Sequence, residues 1–169
     1  PISVTHRIAG RQTLRWRNRS EIAISTVYLH LYLNAFANAG STYMRETRLS
    51  ALTERALAEN FPVNIDEPLQ AGEWGSIKLT NILQKGANAV PKQRFVQPDG
   101  GPGTDQTVLV LDLAQAVAPG AELELSMRFV SQLPRVIART GYFKTFHMVA
   151  QWFPKIAVLE LPGERGALA

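Results

Sequence analysis

The chain has 169 residues, of which 46% are hydrophobic and 19% charged, with a formal net charge of +4. This is ordinary composition for one globular domain, which at this length typically buries about 70% of its unfolded surface. The absence of cysteine excludes disulfides, thiolate metal sites and a cysteine nucleophile.

Two strands are predicted in the first third of the chain. Leu14 and Trp16 alternate with polar residues, and an Asn-Arg-Ser turn at 18–20 leads to a second alternating run over 27–33. A period of two is typical of a strand with one buried face. In the second run, tyrosine and histidine rings occupy the opposite face. We therefore expect both faces of that strand to be covered and the strand to be interior.

The period changes between Ser41 and Asn60. Apolar residues recur there at helical spacing with charged residues between them, which predicts one or two short surface helices after the second strand. Asn60 and Pro62 would end this helical region. A further strand is predicted around Ile77, after the turn glycines at 72 and 75.

The second half of the chain has the clearest strand patterns. The glycine-rich run 98–103 predicts a loop, and the nearly continuous apolar run 107–113 with the alternating run 121–130 predicts a hairpin-like pair. The final apolar run 143–159 is split by Pro154 and predicts two strands flanking a bend. Together these elements predict one mostly β domain over 1–169, with a β-sandwich or saddle-like architecture.

The sequence contains no complete catalytic motif. Its three histidines lack the HExxH spacing of a zinc peptidase, since His147 is followed by neither the glutamate nor the second histidine. No serine has the turn of a hydrolase nucleophile, and no Lys-Ser or Lys-Thr follows the glycine-rich loop. Glu122 and Glu124 are expected on an exposed strand face rather than across a cleft. We therefore expect neither catalysis nor a cofactor in this chain.

Five arginines surround Trp16. They could form a basic stripe for a polyanion, a solvated strand face, or a face that docks an acidic domain; the residues are Arg7, Arg11, Arg15, Arg17 and Arg19. The charge is too modest to demand nucleic acid, and no nucleic-acid partner is expected. The first residues contain no signal-peptide core. The compartment stays open, with an extracytoplasmic or membrane-attached parent among the alternatives.

The segment 139–155 combines aromatic bulk, a glycine turn and a proline bend. Its aromatic residues could be core residues at the end of a strand. Alternatively, Tyr142, Gln151 and Trp152 border a cleft formed with another domain.

Four runs of this sequence are distinctive: 10–18, 27–36, 119–129 and 150–155. Together they resemble one family, the bacterial zinc metallopeptidases of the aminopeptidase N group. The run Ala150-Gln-Trp-Phe-Pro-Lys155 resembles that family's "QWYPK-x-AVY" segment, and 27–36 resembles its "LYLHLYPNAF" strand, with Leu33 in place of the proline. Two further runs occur in the expected order. They are an early strand ending in "RNxS" (10–18) and a "PGExxxLxxxF" run (119–129) followed by Leu-Pro and a Gly-Tyr-Phe turn.

The resemblance implies the non-catalytic, saddle-like N-terminal domain of such a protein. That domain supports a downstream catalytic domain, which holds the zinc, and forms one wall of the peptide-binding cleft. Family members often place a glutamine near the free amine of the substrate, and Gln151 is the nearest candidate here. The resemblance also implies that further strands follow before the catalytic domain, so we expect an unpaired edge that favours self-association or a frayed segment over 163–169.

A different class of function stays open. The chain could be a free-standing β-sandwich module that binds a polyanion through its arginines, or a carbohydrate through Tyr142 and Trp152.

Overall fold

The computed structural model describes residues 5–47, 69–135 and 140–157, and these are mostly β. The nine strands within these ranges are β1 (Arg7–Arg17), β2 (Ile24–His30), β3 (Ser76–Gln84), β4 (Lys92–Val96), β5 (Val108–Val117), β6 (Glu122–Gln132), β7 (Gly141–Phe143), β8 (Phe146–Met148) and β9 (Lys155–Ile156). A 3-10 helix (Tyr32–Phe36) and a helical segment over 42–47 follow β2. The prediction of a mostly β domain with short helices after the second strand is confirmed.

The strands form three antiparallel sheets. A three-stranded sheet has the order β1-β6-β3, a four-stranded sheet the order β4-β5-β2-β9, and β7 and β8 form a separate hairpin. Leu123 and Leu125 of the three-stranded sheet share one hydrophobic core with Leu109 and Leu111 of the four-stranded sheet. The two larger sheets therefore enclose the core as in a β-sandwich.

The predicted hairpin between 107–113 and 121–130 is wrong. β5 pairs with β2 and β4, whereas β6 pairs with β1 and β3, so the short connection at 118–121 carries the chain from one sheet to the other. Both strands have a face that must be buried, and packing these faces against each other across the core satisfies both. A short turn between two strands is compatible with either arrangement.

Asn18 joins two connections between the sheets. Its side chain is fully buried, and its Nδ2 donates to the carbonyl oxygens of Ile22 (2.7 Å) and Val117 (2.9 Å). Its backbone N–H donates to the Ala121 carbonyl, and its carbonyl accepts from the Gly120 N–H. This one asparagine thereby fastens the turn after β1 to the turn before β6.

The second predicted strand is interior, as expected, because β2 lies between β5 and β9. It ends at His30 rather than Leu33, which lies on the 3-10 helix. Asn34 explains this early end. Its Oδ1 accepts from the Ile77 N–H at 2.7 Å and its Nδ2 donates to the Gln106 carbonyl at 2.8 Å, so the chain turns inward here.

The other predicted elements have mixed outcomes. The strand around Ile77 and the loop at 98–103 are confirmed. The final apolar run has a strand on each side of Pro154, as predicted, namely β8 and the short β9, but β8 belongs to a hairpin with β7 and ends at Met148, before the bend. The predicted helix beyond residue 47, its end at Asn60 and Pro62, and the segment 163–169 lie outside the described residues. Among the described helices, none is long and apolar enough to cross a bilayer.

Candidate functional site

Tyr142 lies at the centre of a small aromatic cluster. Its ring stacks on the imidazole of His6, with centroids 3.4 Å apart and an interplanar angle of 5°. His147 is the register partner of Tyr142 across the β7–β8 hairpin and packs against both rings. The start of β1 is thereby attached to the hairpin.

The two histidines of this cluster share a hydrogen bond. Nδ1 of His6 lies 2.9 Å from Nε2 of His147, and Nδ1 of His147 lies 3.1 Å from the Thr145 carbonyl oxygen. A carbonyl only accepts, so Nδ1 of His147 carries the proton and its Nε2 is the acceptor. His6 therefore donates through Nδ1, which leaves its Nε2 as a free acceptor when the ring is neutral.

The surroundings favour the neutral form of His6. Burial lowers the pKa of His6, and positive charge on His147 lowers it further. Burial also raises the pKa of the Tyr142 hydroxyl, helped by the Glu73 carboxylate and opposed by Arg135. Within the described ranges, no group of three or more metal-ligating side chains exists here or elsewhere. The cluster is a contact between the start of β1 and the β7–β8 hairpin.

The structure places Trp152 against the core. Its ring lies 5.7 Å from that of Phe129, and its carbonyl oxygen accepts a hydrogen bond from the Ser131 hydroxyl on β6. Phe153 packs edge-on against it. These contacts favour the structural alternative for Trp152, in which it anchors the segment 149–154 to the three-stranded sheet.

Gln151 is exposed at the neighbouring position. Its backbone has a φ of +53°, a left-handed conformation that costs energy for a residue with a side chain. Its Oε1 accepts a hydrogen bond from the Lys155 ammonium group. The side chain that carries the predicted substrate contact therefore already has an ammonium as its partner.

The surface next to these residues is unusually apolar. Among the described residues, ten large hydrophobic side chains are exposed, and five of them lie within 143–153. They are Phe143, Phe146, Met148, Val149 and Phe153. The first two are 61% and 63% exposed, at the tip of the β7–β8 hairpin. Exposed apolar side chains concentrated in one segment are typical of surfaces that bind a protein, a membrane or a ligand. We call these five residues the apolar patch.

A cavity of about 520 Å³ lies elsewhere, between the free edges of β3 and β4. Trp74 and Phe95 supply aromatic surface to it, and Lys78 and Arg94 supply positive charge. Tyr142, Gln151 and Trp152 do not line this cavity. Sequence analysis did not predict this cavity, because β4 has no alternating apolar pattern and the residues that line the cavity come from distant segments.

The segments that carry the family resemblance are neighbours in the structure. His30 of β2 pairs with Lys155 of β9, so the runs 27–36 and 150–155 are neighbours in the four-stranded sheet. The run 119–129 contributes Phe129, on which Trp152 packs. Four stretches that are far apart in the chain thus form one connected region.

The strands define a β-sandwich-like domain, and half of the exposed large hydrophobic side chains among its described residues lie in the apolar patch. The chain matches no protein-family model, no curated protein and no solved structure with which it was compared. A particular function therefore has to be argued from the residues of this region.

Proposed function

We propose that the chain is a non-catalytic domain of a zinc aminopeptidase-like protein. In this role it supports a downstream catalytic domain of the same polypeptide and forms one wall of the peptide cleft. The ordered set of family-like runs supports the proposal. So does their convergence on the region around β2, β9 and Trp152.

The apolar patch is the observation that carries the proposal furthest. A hairpin with two phenylalanines more than half exposed at its tip is costly to leave in water, at about 25 cal/mol for each Å² of apolar surface. A domain interface would bury that surface. Four of the five patch residues precede Gln151 in the chain and Phe153 follows it, so a catalytic domain seated on the patch would bring its cleft close to the predicted substrate-contacting side chain.

Gln151 has the chemistry that this role requires. Its Oε1 is an acceptor already engaged by the Lys155 ammonium, and the free amine of a peptide is a donor of the same kind. A bound peptide would take the place of Lys155 at this oxygen. The zinc and the general base would come from the catalytic domain, and none is expected from this chain.

The first test uses the chain alone. Incubated with aminoacyl fluorogenic substrates and zinc, it is expected to show no turnover. Chelator-sensitive hydrolysis by this chain would contradict the proposal.

The second test uses the full-length gene product, whose sequence should contain HExxH and a downstream glutamate within about 150 residues of Ala169. In that protein, Gln151→Ala should raise KM roughly tenfold with little effect on kcat, because one charge-assisted hydrogen bond to the amine is lost. Gln115→Ala is the matched control, since its side chain is exposed on β5, and it should leave KM unchanged. A full-length protein without the zinc motif would remove the peptidase link.

The carbohydrate alternative has less support. Sugar-binding sites commonly use a free aromatic face, but His6 covers one face of Tyr142 and Trp152 packs against Phe129. A separate observation bears on the polyanion alternative: four of its five arginines lie on β1, in the three-stranded sheet.

A further inference from the structure

The exposed face of the three-stranded sheet carries a strong net positive charge. β1 is exposed at alternate positions, and Trp16, which the arginines were expected to surround, lies on the opposite face and packs on the core. The side chains of this cationic face include seven cations against two carboxylates, Glu122 and Glu124. The cations are Arg7, Arg11, Arg15, Arg17, Lys78, Lys85 and Arg128. The resulting net charge of +5 exceeds the +4 of the whole chain.

The charge is unevenly neutralised along the strands. Glu124 lies between Arg15 at 3.0 Å and Lys85 at 3.1 Å, so one end of the face is partly balanced. At the other end, Arg11 and Arg128 are direct cross-strand partners, and in the described part of the chain neither forms an ion pair. Like charges placed directly opposite each other destabilise a sheet. This arrangement costs stability that an anionic partner would restore.

The unbalanced end is broad rather than linear. Arg7 and Arg11 lie on β1, Arg128 on the central β6 and Lys78 on β3, so cations occur on all three strands. With strands about 4.8 Å apart and a rise of about 3.4 Å per residue, their attachment points cover roughly 10 Å by 14 Å.

The side chains of the cationic face indicate which kind of anion it would bind. The small side chains of Ala9 and Thr13 separate the β1 arginines, and no aromatic residue shares the face for bases to stack on. The cavity lies at the edge of β3 and not on this open face, which therefore lacks the concavity that a small ligand needs. Long flexible cations spread over a flat face fit a planar array of phosphates better than a single strand of them.

We propose that the cationic face docks on the surface of a bilayer rich in anionic phospholipid. Arginine and lysine side chains of this face reach the phosphates of the headgroups, and the contact stays at the level of the headgroups. The contact is electrostatic, reversible and independent of the peptidase link, so either proposal can fail without the other.

The test measures sedimentation of the untagged chain with vesicles. Binding is expected for phosphatidylcholine vesicles containing 30% phosphatidylglycerol, and not for phosphatidylcholine alone. Raising the salt to 0.5 M should release the protein, because screening shortens the range of the attraction. Failure to bind the anionic vesicles at low salt would overturn the proposal.

Arg128→Glu is the informative variant. It removes one cation and places a carboxylate opposite Arg11, so the fold should be at least as stable as the wild type. Its partition onto anionic vesicles should fall by roughly tenfold or more, given about 1 kcal/mol for each basic residue at the surface. Arg45→Glu is the matched control, since it makes the same charge change at an exposed position of the helical segment 42–47, outside the three-stranded sheet, and it should stay within about twofold of the wild type.

Two further outcomes decide against the proposal. An equal loss of binding in both variants would show that net charge alone, and not this face, drives adsorption. Tighter binding of heparin or single-stranded DNA than of the vesicles would identify a linear polyanion as the partner instead.

Discussion

His6 illustrates how a single residue can make the stability of this domain depend on pH. Its ring is stacked on Tyr142 and bonded to His147, and these are the rings that face it in the cluster. Because its pKa is lowered in the folded state, the unfolded chain binds the proton more readily. The stabilisation is therefore complete above about pH 6.5 and is lost as the pH falls through the folded-state pKa.

We expect His6→Gln to weaken this pH dependence. The free energy of unfolding should fall less between pH 7.5 and pH 5 in the variant than in the wild type, as measured by urea unfolding at each pH. His30, whose pKa is lowered by burial and by Lys155 and raised in part by Asp105, contributes in the same direction in both proteins. An identical pH dependence in wild type and variant would show that His6 is not linked to folding.

Gln151 shows the limit of prediction at the residue scale. Its neighbourhood was identified from the run around Trp152, but its left-handed backbone and its bond to Lys155 were not. Likewise, His6 and His147 are 141 positions apart, and no spacing rule relates them. Contacts of this kind depend on the path of the whole chain.

At the scale of elements, Asn34 holds the 3-10 helix to both large sheets. It is 4% exposed, and its amide bonds the backbone of Ile77 at β3 and of Gln106 just before β5. Polar groups buried without a partner are costly, so this side chain stabilises two connections together.

We predict that Asn34→Ala lowers the free energy of unfolding by about 2–4 kcal/mol, because the Ile77 N–H and the Gln106 carbonyl both lose a buried partner. Urea unfolding monitored by circular dichroism measures the change. Asn81→Ala, at an exposed position of β3, is the control and should stay within about 0.5 kcal/mol of the wild type. A loss below about 1 kcal/mol for Asn34→Ala would mean that water replaces both contacts.

How well each element could be predicted depended on the pattern of its hydrophobic residues. β6 has strict alternation and was placed correctly, with Leu123 and Leu125 in the core. β4 has four exposed positions in five and was missed, since a strand at the edge of a sheet need not bury a face. The end of β2 was predicted too late in the chain, because an apolar run is typical both of a strand and of a buried 3-10 turn.

At the scale of the whole molecule, the sheets are interwoven. Along the chain, β1 and β3 of the three-stranded sheet alternate with β2 and β4 of the four-stranded sheet. β5 follows β4 in the same sheet, β6 returns to the three-stranded sheet, and the two sheets share one core. Neither sheet can lose its strands without exposing the apolar face of the other. The two sheets should therefore unfold as one unit.

Hydrogen exchange provides the measurement. The most protected amides of Val110 and Leu111 in one sheet should exchange with the same opening free energy as those of Leu123 and Leu125 in the other. Agreement within about 1 kcal/mol is expected for global unfolding. If the four-stranded sheet opened at a clearly lower free energy, the shared core would not couple the sheets.

The sequence by itself determined the class of the domain, the position of the main strands and the region of interest near Tyr142 and Trp152. These follow from local periodicity and from residue types, which need no knowledge of the rest of the chain. The sequence by itself also shows that no complete catalytic motif is present in it, because each motif has a fixed spacing.

Only the tertiary structure decided which strands pair. That choice put β5 and β6 on opposite sides of the core, left Arg11 opposite Arg128 and brought His6 onto Tyr142. The physical reason is that a strand pattern specifies a buried face but not the neighbour that buries it. The neighbour is selected by the joint burial of all the apolar faces, and the candidate surfaces of this protein are a consequence of that selection.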